Sequence, residues 1–345
     1  MEQNHIPIFQ HMIFTNKNDA LECENVSVSL SQCDNCGFVF NSNFNPELMN
    51  YDENYNNEQS NSKFFQDHLN EVLNKVKKNL GQNRKVVEVG CGKGHFLELL
   101  RNNGIDCTGF DPTYEGDKDY VIKEYFSEKF TDINAELVVL RHTLEHVHHP
   151  LKLIQQIAKA NNLKGKVLIE VPTFQWIYDN GAFWDVFYEH CNYFTLKTLK
   201  GFFGEAKGGY LFGGQYIYVV GDLSTVKENV NEVLDDSHFS QNPINEKIDS
   251  IKSLLTLDKT TVIWGAGGKG STFVNLLDPK GDKIKYLVDI NPAKQNKYVS
   301  VSGHHIFSPS QIEIDPPDQI IIMNPNYKDE IINSVTNKSI KFTHI

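Results

Sequence analysis

The sequence has no apolar run approaching the ~20 residues that a membrane-spanning helix needs, so no membrane partner is expected. Cysteine is sparse: Cys23, Cys33, Cys36, Cys91, Cys107 and Cys191 are the six in 345 residues. Scattered this way, they exclude a disulfide framework and point to reduced thiols in a cytoplasmic setting. The opening Met1-Glu2-Gln3-Asn4-His5 lacks a basic region leading into an apolar core, so no secretory signal is expected. Basic charge is also short, with 33 Lys and Arg against 44 Asp and Glu and a formal net charge of −11. Nucleic acid binding needs a basic field, so nucleic acid is excluded as a general partner. A local basic pocket for a phosphorylated small molecule is still allowed.

What is present is an ordinary globular balance, 40% hydrophobic and 22% charged, in a length that suits two or three domains. The central stretch runs from Val86 through Glu88, Gly90, Cys91, Gly92 and Gly94 to Leu100. An apolar run enters a glycine turn and an apolar-periodic run leaves it. This pattern predicts a buried parallel strand, a tight loop and a helix N-terminus, where unpaired N–H groups favour a polar or anionic ligand. Asp111 closes the next apolar segment about 20 residues on, where a ribose-binding carboxylate belongs in nucleoside-binding α/β sheets.

Around this centre the elements alternate. A helix is expected with Phe65, Leu69, Val72, Leu73, Val76 and Leu80 on one face, stopped by Gly81. Strands are expected at Val86–Val89, Cys107–Phe110, Leu137–Leu140 and Lys166–Val171, and an antiparallel pair within 208–220. A second strand–glycine–helix unit begins at Val262, with Gly265, Gly267 and Gly270 in G-x-G-x-x-G spacing and Asp289 about 20 residues later. Read alone, that loop suits an NAD-dependent oxidoreductase, or Lys269 within it meets a substrate phosphate. The expected domains are a short N-terminal region (1–60), a core (61–222), a helical connector (223–258) and a smaller C-terminal domain (259–345).

The G-x-G-x-G spacing behind Glu88 resembles motif I of class I S-adenosylmethionine (SAM)-dependent methyltransferases. The wider set resembles the sugar C-methyltransferase type: Cys33-Asp34-Asn35-Cys36-Gly37, the Tyr51–Tyr55 stretch, Glu88–Gly94, His142–His146, Tyr188-Glu189-His190, Gly265–Gly270 and Asp289–Asn296. The resemblance implies an α/β fold with a doubly wound Rossmann-like methyltransferase core, a small N-terminal region of zinc-binding type and a second, C-terminal Rossmann-like domain. It implies C-methylation of a nucleotide-linked sugar, with O- or N-methylation and a non-catalytic scaffold as other uses. The sequence departs from the family in lacking the first zinc C-x-x-C, and in carrying Phe187-Tyr188-Glu189-His190 where some members have Tyr-Asp-Glu-His.

The implied cofactor residues are Glu88, Gly90, Cys91, Gly92, Gly94, Asp111 and His142, with Glu88 on the amino group of SAM and Asp111 on its ribose. His190 is the first candidate for the base that removes a proton beside a keto group, with Glu189 and Tyr188 supporting it and His146 the second choice. Tyr55 and Lys269 are candidate substrate ligands. Cys33, Cys36 and Cys23 are the candidate zinc ligands, one short of the four that a structural zinc wants.

Overall fold

The computed structural model describes residues 1–49, 62–230 and 232–345. Tyr55 and the run around it lie outside the described residues. The chain begins with β1 (Glu2–Pro7), β2 (Ile13–Phe14), α1 (Lys17–Glu22), β3 (Asn25–Gln32) and β4 (Val39–Asn41). Helix α2 (Lys63–Asn79) starts where the Ser62 hydroxyl accepts the Phe65 N–H, and it buries His68, Val72, Leu73 and Val76 along one stripe.

Next come β5 (Lys85–Val89), α3 (His95–Asn102), β6 (Asp106–Phe110), β7 (Val121–Ile122), β8 (Leu137–Arg141), α4 (Pro150–Ala160) and β9 (Lys166–Pro172). These strands pair in parallel. Val87, Val89 and Leu140 face one apolar core and Val86, Leu137 and Val139 the other, as a sheet covered on both sides requires. After α5 (Phe174–Asn180), β10 (Asn192–Tyr193) and α6 (Leu196–Lys200), the hairpin β11 (Ala206–Leu211) and β12 (Tyr216–Asp222) adds an antiparallel edge. The sheet order is β11-β12-β9-β8-β5-β6-β7. From β5 the chain winds first toward β6 and β7, then back toward β8 and β9. The crevice at such a reversal is where ligands bind in open α/β sheets, and the Gly90–Gly94 loop lies there.

Helix α7 (Asn242–Lys252) leads to the second sheet. Its elements are β13 (Thr261–Trp264), α8 (Gly268–Leu277), β14 (Ile284–Val288), β15 (Lys297–Val299), β16 (His305–Phe307), α9 (Gln311–Ile314), β17 (Gln319–Ile322), α10 (Lys328–Ser334) and β18 (Lys341–His344). The order is β18-β17-β13-β14-β16-β15-β2, so the reversal is at β13 and the Gly265–Gly270 loop marks it. Phe273 of α8 stacks on Phe183, with ring centroids 5.9 Å apart, and meets Trp184 edge-on. This apolar contact docks the second sheet against the first half of the molecule.

The N-terminal region pairs with strands from both later parts of the chain. Its sheet, β1-β3-β4-β10, takes β10 from the stretch between β9 and β11 of the first large sheet, while β2 leaves to pair with β15 of the second. Among the described residues the connector is α-helical only over α7, with a single 3-10 turn at Leu223–Thr225. Its earlier part is rich in Asn, Asp and Ser, which bond locally to backbone and favour turns. It is clasped by the Cys33–Gly37 turn: Leu234 and Asp235 donate to the Cys36 carbonyl at 3.0 and 3.2 Å. Gly37 has φ +76°, and a Cβ there would lie 1.9 Å from the Asp235 carbonyl oxygen, so only glycine fits.

Candidate active site

Both reversal points open onto one cavity of about 980 Å³. That is the top of the usual ~300–1,000 Å³ range for ligand pockets, roomy enough for a cofactor and a second molecule together. Its wall runs from the first glycine loop and Asp111, through Arg141–His149 and His190, to Trp264–Gly270, Asp289 and Lys294. Gln10 and His11 of the N-terminal segment close it from a third side.

At the first loop, Gly92 has φ +51°, and a Cβ built on it meets nothing within 4 Å, so the loop backbone faces open cavity. The Gly92 N–H donates to Asp111 Oδ2 at 2.7 Å, and Thr113 donates to Oδ1 through its N–H (2.8 Å) and hydroxyl (2.7 Å). Asp111 therefore braces the loop and retains lone-pair capacity toward the cavity. Gly94 caps α3 at φ +80°, while Gly90 and Cys91 both line the cavity. Burial pushes the Cys91 thiol up, so it stays protonated. Glu88 is 2% exposed, and burial lifts its carboxyl to about 7 against the opposing pull of Arg141. Its Oε2 is buried with no hydrogen-bond partner. An orphaned carboxylate oxygen beside an open glycine loop fits the amino end of SAM.

The second loop repeats the first. The Ala266 N–H donates to Asp289 Oδ2 at 2.9 Å and the Asn291 N–H to Oδ1 at 2.8 Å. Lys269 extends from this loop to Asp185 (2.9 Å) and to Gln215 Oε1 (2.9 Å), and lies over the Trp176 ring. Lys294 sits 3.6 Å from Asp289.

Between the loops lies a histidine cluster. His146 and His190 meet edge to face with centroids 4.7 Å apart. Burial, then the imidazoles of His146, His142 and His11, hold His190 well below the usual histidine range, so it stands neutral. Glu189 is fully buried behind it: Oε1 accepts the Gln10 N–H at 2.7 Å, and Oε2 lies 3.4 Å from His146 Nδ1. The Gln10 amide nitrogen is 3.5 Å from His190 Nε2. His142 leaves β8 at φ +49° with Nδ1 3.6 Å from Glu145 and Nε2 3.7 Å from Glu170. Burial opposes its charge, but these carboxylates outweigh burial and raise it to about 9.

Several expected residues are placed elsewhere. The Tyr188 hydroxyl accepts the Asn45 N–H at 2.9 Å and donates to the Asn43 carbonyl at 3.3 Å, and Tyr188 does not line the cavity. Its backbone lies in a turn, and its ring packs against Phe44, 5.8 Å between centroids, within an apolar core. Cys23, Cys33 and Cys36 do not form a metal site: among the described residues, no group of three or more metal-ligating side chains includes any of them. Cys23 precedes β3 and Cys33 follows it, and eight extended residues hold the ends roughly 26 Å apart. Cys23 Sγ instead accepts the Val301 N–H at 3.2 Å.

Some lining and supporting residues were not singled out from sequence. Arg141, Glu170 and His68 form a buried charged group, with Arg141 Nε 2.7 Å and His68 Nε2 2.5 Å from the two Glu170 oxygens. The signal was there: Glu170 interrupts an apolar strand, and His68 lies on the buried stripe of α2. Gln10 and Asp185 gave no signal, because their partners are distant in sequence, and His11 stood out only as a candidate zinc ligand beside the Cys33–Cys36 pair.

A doubly wound sheet with a glycine loop and an acid at its reversal defines a class I nucleoside-binding α/β fold, here of the Rossmann-like SAM-dependent methyltransferase type. Residues 58–207 match the family described as methyltransferase domain, and residues 239–342 match the C-methyltransferase C-terminal domain. The two matches together make the chain a SAM-dependent methyltransferase. It is similar to C-methyltransferase NovU of Streptomyces niveus, at 24% identity over 287 residues, covering 72% of this chain and 68% of that one. A SAM-dependent methyltransferase from Archaeoglobus fulgidus overlays 46% of this chain and 99% of its own, at 18% identity and TM-score 0.36. One from Thermotoga maritima overlays 48% and 92%, at 19% identity and TM-score 0.37. None of the helices described is long and apolar enough to cross a membrane.

Proposed function

We propose that this enzyme C-methylates a nucleotide-linked keto sugar, with His190 as general base. The observation that carries the reading is that two glycine-loop reversal points share one cavity, with a neutral, buried histidine between them. The first loop suits SAM: Glu88 faces its ammonium, Asp111 its ribose hydroxyls, and the Gly90–Gly94 backbone its methionine chain. The second suits the nucleoside end of the acceptor, with Asp289 on a ribose and Lys269, Lys294 and the start of α8 near its phosphates. In this reading the 223–258 segment joins a methyltransferase unit to an acceptor-binding unit.

When bound, SAM supplies an electrophilic methyl group on sulfur. His190 takes the proton from the carbon beside the acceptor's carbonyl, and the electron pair left on that carbon attacks the methyl group as its bond to sulfur breaks. The imidazolium then forms on His190; Glu189 places a carboxylate beside His146, whose ring packs on His190, and the Gln10 N–H keeps that carboxylate oriented. Walls from three parts of the chain exclude water and hold the reactants in line.

The test is exchange in deuterated water. The wild type, loaded with S-adenosylhomocysteine, exchanges the acceptor's proton for deuterium at the carbon that becomes methylated. H190A loses exchange and turnover by at least ~100-fold while binding S-adenosylhomocysteine normally. Exchange that survives in H190A removes His190 from the base role, and methyl transfer found only on oxygen or nitrogen ends the carbon assignment.

A further inference from the structure

We infer that Arg141 binds the α-carboxylate of the cofactor's methionine end, across from Glu88 on its ammonium; this rests on the cofactor assignment above. Strand register puts the two groups together. Glu88 on β5 stands opposite Val139 on β8, and Arg141 lies two residues beyond Val139 on the same face. Glu170 of β9 stands opposite Arg141. The carboxyl ends of three adjacent parallel strands thus carry a charged strip under the first glycine loop.

Arg141 is held rigidly. Its Nε donates to Glu170 Oε2 at 2.7 Å, and its guanidinium lies over the Phe96 ring, 4.6 Å from the centroid. One edge of the guanidinium fork is therefore used. Its Nη2 is buried, has no hydrogen-bond partner, and belongs to a side chain that is 9% exposed on the cavity wall. Glu88 Oε2 is buried and orphaned on the same wall. The two do not satisfy each other: no ion pair links them among the described residues, although Arg141 opposes the upward shift at Glu88.

A buried donor and a buried acceptor left open side by side call for a ligand that carries both charges. An α-amino acid end does so on a single carbon. A phosphate or a free carboxylate would satisfy Arg141 but be repelled by Glu88, and a simple amine would do the reverse. His142, the neighbouring cation, is already flanked by Glu145 and Glu170. The site thereby discriminates S-adenosylhomocysteine from adenosyl thioethers that lack the amino acid.

Calorimetry with S-adenosylhomocysteine, its decarboxylated analogue, its deaminated analogue and 5′-methylthioadenosine tests this. R141Q and R141K should weaken the two carboxylate-bearing ligands by roughly 10- to 100-fold and leave the other two within about twofold. E88Q should do the reverse, penalising the ligands that carry an ammonium. Equal losses on all ligands in the Arg141 variants, or none, overturn the inference. R141K retains a cation beside Glu170 should R141Q fail to fold. With the wild type alone, a decarboxylated analogue that binds as tightly as S-adenosylhomocysteine also overturns it. A wild type that binds none of the adenosyl ligands refutes the cofactor assignment itself.

Discussion

Glu88 makes cofactor binding depend on pH in a direction the structure fixes. Its carboxyl stands near 7 instead of the ordinary 4.5, chiefly through burial. A carboxyl raised on folding contributes stability below about pH 4.5, and that contribution is lost as pH rises through about 7. The gap corresponds to about 3 kcal/mol. The same proton competes with the ligand's ammonium, which pairs with the carboxylate and not with the acid. At about pH 6 the group is roughly nine-tenths protonated, and at about pH 8 roughly one-tenth. The dissociation constant of S-adenosylhomocysteine should therefore tighten about tenfold between these pH values. Binding at about pH 6 should release close to one proton. Calorimetry in buffers of different ionisation enthalpy reads both quantities, and E88Q should bind more weakly with a nearly flat profile. Affinity that does not change with pH in the wild type, or the same slope in E88Q, would refute the reasoning.

Gly37→Ala tests the clasp on the connector. Left-handed backbone plus a Cβ placed against a carbonyl oxygen should cost about 2–5 kcal/mol, read as a lower urea midpoint at unchanged slope. Lys269→Ala should raise KM for the acceptor roughly tenfold and leave S-adenosylhomocysteine affinity within about twofold, since Lys269 belongs to the second glycine loop and bridges Asp185 and Gln215, none of them part of the first loop. Equal effects on both ligands would show that the residue acts through general stability.

The parts of the fold that repeat at short range were readable. Apolar runs placed β5, β6, β8, β9 and β13 to within a residue or so, because strands covered on both faces carry a near-continuous apolar signal. Glu88, Asp111 and Asp289 were readable because a strand-loop-strand unit fixes their spacing. Short strands without an apolar run were not: β2 and β10 are two residues each, and long-range pairing alone defines them. The turn at Cys33–Gly37 resembles half a metal knuckle because both uses need a tight glycine turn. Its use here is to grip Asp235, which sequence spacing does not reveal. Tyr188 was assigned from its neighbours, whereas the backbone of Asn43 and Asn45 holds its hydroxyl, a long-range contact that the local sequence does not show.

The pairing of Ile13–Phe14 with Tyr298–Val299 also bears on how the molecule is made. At elongation rates of roughly 5–20 residues per second, roughly 15–60 s separate the appearance of the two segments at the ribosome. Through that interval an early-emerging segment waits for its partner, and the last sheet to be synthesised anneals onto it at the end. Fusions placed ahead of Ile13 should therefore burden late maturation of the carboxyl-terminal half, far from the point of attachment in sequence.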